Sequence, residues 1–317
     1  MKNSISGRGP WLVCTAGGAV LAAAARWWQL SSAFEGALRL PIPWAPASIV
    51  LICVLAISGA VLLLLSAYQP ALKRPLAPGQ AHRWDLAFLD PSDKVYPTLA
   101  VTAAFLSLAC VPAMFSAGLD MWRIYRAMRA AYADPPTNNG VLLIATAVAA
   151  LVAFFGLLQL GRDGLRPGRR GQGGFSAALP GLAGCIWLME SFRAHAADPV
   201  LWNYAPQMLA IMCGMLFYMD YAGMSGSGAR PRRLLWLAGM TAILSVVSLV
   251  SALSGLPALS GEDFRARLGD VLLLLSQTAA AAAVLWRLPP NLENPPRLEQ
   301  LQTPEQEQEE QEETTHE

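Results

Sequence analysis

The chain has 317 residues, 54% of them hydrophobic and only 14% charged, against the roughly 25% charged residues of ordinary soluble domains. A formal net charge of +1 gives no reason to expect nucleic acid, whose binding needs a concentrated basic patch on an exposed domain. So much apolar surface exceeds what one soluble core can use, and it calls for a lipid bilayer as solvent.

A membrane-spanning helix needs about 20 mainly apolar residues. Eight such runs are predicted, at 10–28, 44–68, 96–118, 140–161, 175–192, 204–226, 234–257 and 268–288. They are too long, and too poor in two-residue alternation, for barrel strands, so the expected fold is an all-α polytopic transmembrane helical bundle over residues 1–290.

Ahead of the first run, Lys2 and Arg8 fit either a cleaved signal peptide or the flank of a retained helix. Arg26, Trp27 and Trp28 after it suit the outer interface of a retained span, where tryptophan anchors collect. The third run carries Pro112 and continues into Trp122, Tyr125 and Tyr132 interleaved with Arg123, Arg126 and Arg129. Those three arginines form a candidate outer basic strip, either lying along lipid headgroups or lining an anion-attracting vestibule. The fifth run opens with Pro180 and Gly181 and ends with Glu190 and Arg193, three apart and so on one helix face, as in an interfacial ion pair.

The sixth run contains Asp220 between Tyr218 and Tyr221, followed by Arg230, Arg232 and Arg233. An ionisable group inside a span costs roughly 2.5 to 3.5 kcal/mol at the bilayer centre, so it marks either a pairing within the protein or a polar path. The seventh run repeats serine at 245, 248, 251 and 254, a packing pattern, and the eighth carries Ser276, Gln277 and Thr278 near its middle. Asp220, Gln277, Tyr218 and Tyr221 make up the candidate polar cavity.

After Pro290 the chain turns to Glu, Gln and Pro without aromatics, and residues 291–317 are expected to be a disordered acidic cytoplasmic tail, solvated or docked on a basic protein partner. Placing the N-terminus, the even loops and this tail in the cytoplasm puts 15 of the 23 Lys and Arg residues there and leaves 8 outside.

Offset by 160 residues, Trp44, Ala45 and Pro46 fall over Tyr204, Ala205 and Pro206, and Cys53 over Cys213. The match suggests two parallel four-helix repeats, although proline is favoured in the first turn of any helix. The five cysteines, an odd number, lie inside apolar runs without Cys-x-x-Cys spacing, and the three histidines are far apart, so neither a disulfide framework nor a metal or cofactor site is expected. No phosphate-binding loop, His-Glu-x-x-His or nucleophile elbow occurs, so enzymatic activity is not expected.

At "SFRAHAADPVLWNYAPQMLAIMCGMLFYMDYAGMSGSGARPRR" the chain resembles a group of bacterial eight-span membrane proteins of no assigned activity. The resemblance covers mainly residues 180–250. It implies a multi-pass protein of the bacterial cytoplasmic membrane and carries over no functional residues. Two functions fit: a small-molecule or ion transporter, or a scaffold that binds partners through cytoplasmic loops and tail.

Overall fold

The computed structural model describes residues 7–35, 40–68, 88, 93–131, 140–163, 173–196, 200–224 and 229–293. These contain eight α-helices: α1 Arg8–Ser32, α2 Pro46–Tyr68, α3 Val95–Ala130, α4 Val141–Asp163, α5 Gly173–Ala194, α6 Leu201–Gly223, α7 Pro231–Gly255 and α8 Gly261–Glu293. A two-residue antiparallel ribbon pairs Phe34 with Pro41 and Glu35 with Leu40 between α1 and α2. Every expected run coincides with a helix. Beyond Glu293 the expected acidic tail lies outside the described residues, as does Tyr132.

Six helices, α2, α3, α4, α5, α7 and α8, are long and apolar enough to cross a membrane. The protein is therefore an all-helical, multi-pass membrane bundle. α1 and α6 fall short of the same measure because Arg8, Arg26 and Gln29 dilute the first, and Asn203, Gln207 and Asp220 the second. Two helices exceed the bilayer: α3, at 36 residues, is about 54 Å long against a hydrocarbon core of roughly 30 Å, and α8 has 33 residues.

Helix contacts run α3–α4–α5–α6–α7–α8 and close back from α8 to α3, so six helices form a ring. α1 and α2 pack on each other and on the outside of α7. This explains why α7 is the most interior helix, with 72% of its most apolar stretch buried, while only 11% of α2's is. The serine repeat follows from that position: Ser245 and Ser248 are buried on α7, where small side chains admit the neighbouring helices.

Close approach around the ring is set by a few glycines. Gly140, with φ of 74°, starts α4 against the Gly118 carbonyl of α3, and a Cβ at Gly118 would stand 2.7 Å from Ile144 Cγ1. A Cβ at Gly156 of α4 would stand 2.5 Å from the Ser176 carbonyl of α5. Ser176 is four residues before Pro180, whose missing N–H leaves that carbonyl without its usual helical donor. Pro112, Pro180 and Pro206 all lie inside continuous helices.

Candidate cavity and buried polar cluster

A small cavity of about 40 Å³, open on one side, lies between α3, α4, α5, α6 and α8. Its walls are mostly Ala, Leu, Gly and Met, with Trp187 and Tyr218 as aromatic faces and Ser107, Thr146, Ser276 and Gln277 as polar groups. No charged side chain lines it among the described residues.

The three hydroxyls are already committed as donors to backbone carbonyls: Ser107 to Ala150 at 2.8 Å, Thr146 to Leu142 at 2.9 Å and Ser276 to Ala103 at 2.7 Å. Their remaining lone pairs are acceptors. Gln277 adds a fourth. Its side chain enters the notch left by Gly214 on α6, where a Cβ would overlap the amide, and its Nε2 donates to the Ala210 carbonyl at 3.3 Å. Gln277 is 5% exposed, yet its Oε1 has no hydrogen-bond partner. A buried amide oxygen without a donor costs about 1 to 3 kcal/mol, so it marks a place where a donor belongs.

Next to the cavity sits a polar cluster built by α5, α6 and α8. The Trp187 indole, which lines the cavity, donates from Nε1 to Asp270 Oδ1 at 2.8 Å. Gln207 also bonds Asp270, accepts from Arg267 Nη1 at 3.1 Å, and donates to Ser191 Oγ at 3.2 Å. Glu190 is 6% exposed and lies within electrostatic reach of both Asp270 and Arg267. His195 closes the cluster, its Nδ1–H donating to the Ser191 carbonyl at 2.8 Å and its ring stacked 5.3 Å from Tyr204. Glu190, expected at an interface with Arg193, is instead turned inward, while Arg193 is exposed.

Each end of the bundle is tied by ion pairs. At one end Asp120 of α3 meets Arg265 of α8 at 2.6 Å and Arg123 at 3.0 Å. At the other end Arg287 of α8, 1% exposed, pairs with Asp93 at 3.2 Å and lies 5.0 Å over the Tyr96 ring. Beside it the Tyr96 and Tyr221 hydroxyls bond each other, and Phe88 packs 4.7 Å from Tyr221.

The expected polar cavity is thus divided by the structure. Gln277 and Tyr218 line the cavity, and Tyr221 lies beyond it on Tyr96. Asp220 is paired through both carboxylate oxygens with Arg233 at the start of α7, which explains how a carboxylate is held at that depth. In the basic strip Arg123 is tied to Asp120, Arg126 and Arg129 are exposed, and Trp122 stacks on Tyr125 at 5.9 Å. The cysteines are free, and no cluster of three or more His, Cys, Asp or Glu able to hold a metal occurs among the described residues.

Sequence reasoning passed over Asp270, Arg267, Gln207 and Trp187. Asp270 stands two residues inside the expected start of its span and reads as a helix-end charge. The available signal was spacing, because Asp270 and Gln277 are seven apart and share a helix face. Comparison with family models, curated proteins and solved structures finds no match to this chain.

Proposed function

We propose that the chain is a permease-like transporter for a small polar molecule or ion, working as an eight-span protein of a bacterial cytoplasmic membrane with both termini on the cytoplasmic side. One observation carries the reading: Gln277, whose amide oxygen is buried without a hydrogen-bond partner, lines a cavity between five helices. The lining supplies acceptors, two aromatic side chains and no charge, so the fitting solute donates hydrogen bonds and is neutral or cationic. Ion pairs at both ends, Asp120 with Arg265 and Asp93 with Arg287, support two closures bracketing one site, as alternating access needs. The proposal is for binding and passage, without covalent catalysis.

The test is thiol labelling in protein whose five native cysteines are replaced. Gln277→Cys and Ser276→Cys are exposed to a membrane-impermeant reagent from each side in turn. The expected result is labelling from at least one side, blocked by solutes that occupy the cavity. Failure of both positions to label, in protein that melts like the parent, overturns the reading.

A further inference from the structure

We propose that the cluster beside the cavity is a binding site for one proton, carried by Glu190 and read out to the cavity by Trp187. Glu190 from α5 and Asp270 from α8 bring two carboxylates together, and Arg267 brings one guanidinium. The other groups facing them are neutral or titratable: Gln207 from α6, Cys110 from α3, and His195 just beyond α5 with Tyr204 stacked on it. Two carboxylates against one guanidinium leave one negative charge uncompensated while the His195 imidazole is neutral, and a single added positive charge removes it.

Hydrogen bonding decides where that charge goes. Asp270 accepts from Trp187 and Gln207, and an ionised carboxylate is favoured by such donors. Glu190 is 6% exposed and makes no hydrogen bond among the described residues. Its charge is held only by the Arg267 guanidinium, which it shares with Asp270. The step is simple: a proton from water joins a Glu190 carboxylate oxygen, giving a neutral carboxylic acid, and no other bond changes.

Trp187 links this event to the cavity, since its indole N–H bonds Asp270 and its side chain also lines the cavity. With Glu190 ionised, Asp270 and its donors face a second negative charge. With Glu190 neutral, Asp270 alone holds them. The wall therefore responds to the proton. This coupling rests on the transport reading, whereas the proton site does not.

The experiment uses the full chain in lipid nanodiscs, with no solute, and records infrared difference spectra between about pH 4 and pH 10. Subtracting Glu190→Gln from the parent is expected to isolate one carboxylic-acid band that disappears as pH rises. The fluorescence assigned to Trp187, by subtraction of Trp187→Phe, should change at the same midpoint. Should Glu190→Gln fail to fold, Glu190→Asp is expected to shift the band. An unchanged band in a folded Glu190 variant overturns the proposal. So does a midpoint that moves when sodium or potassium is raised about tenfold, which would make a metal cation the occupant. Absence of transport alongside a normal band would sink the transport reading and leave the proton site standing.

Discussion

Arg26 of α1 donates from Nη2 to the Trp202 carbonyl of α6 at 2.9 Å, and that carbonyl is the one from which Pro206, four residues on, withholds a helical N–H. The same guanidinium reaches Ser251 of α7 at 2.7 Å and Gln29 of its own helix, and Gln29 continues to Ser48 of α2. One fully buried arginine thus joins four helices and completes a proline-broken backbone.

Arg26→Met keeps much of the stem volume and removes every donor. It should destabilise the bundle by about 1 to 3 kcal/mol, the range for leaving buried acceptors unpaired. Pro206→Ala restores the N–H of residue 206, so in that background the Arg26→Met loss should shrink. A double-mutant cycle read by denaturant unfolding in detergent checks this, and strictly additive losses would contradict the proposed repair.

Much of this architecture was legible from hydropathy alone, because a bilayer imposes length and apolarity on each helix separately. All eight helices fall where the apolar runs are, from Trp11 in α1 to Leu288 in α8. What could not be read was lateral order. Whether Arg26 ends a span at the headgroups or turns inward depends on a neighbour, α6, about 180 residues away. Glu190 failed for the same reason: a local partner, Arg193, sat at the right spacing, while the partners it faces came from α8. Gln277 was visible because polarity at mid-helix needs no knowledge of neighbours. Its dependence on Gly214 needed the fold.

Asp220 and Arg233 form a pair of unequal burial, with side chains 8% and 48% exposed. Truncating one partner should therefore differ from truncating the other. Arg233→Ala strands a buried carboxylate and should cost about 2 to 3 kcal/mol. Asp220→Ala leaves a half-exposed guanidinium that water can satisfy, and should cost about 1 kcal/mol or less. Unfolding midpoints of the two variants give the comparison, and equal losses would contradict the role assigned to burial.

Gly214→Ala places a Cβ where the Gln277 amide lies. Overpacking of this kind costs typically 1 to 3 kcal/mol, and here it should also displace the cavity's unpaired oxygen. Adding Gln277→Ala removes the clash, so the double variant should melt above Gly214→Ala alone. If the second substitution lowers stability further, the notch is not what α6 offers to Gln277.

Gln277 itself separates a packing residue from a binding one. Gln277→Met removes the bond to Ala210 and the buried orphan acceptor together, and the two effects oppose each other. Near-neutral unfolding, within about 0.5 kcal/mol, is then expected together with loss of solute protection of Ser276→Cys. The loss of protection is the diagnostic part, because a residue that only joins two helices has no contact with the solute to lose. A Gln277→Met protein that is much less stable yet still protected would instead assign the glutamine to helix packing.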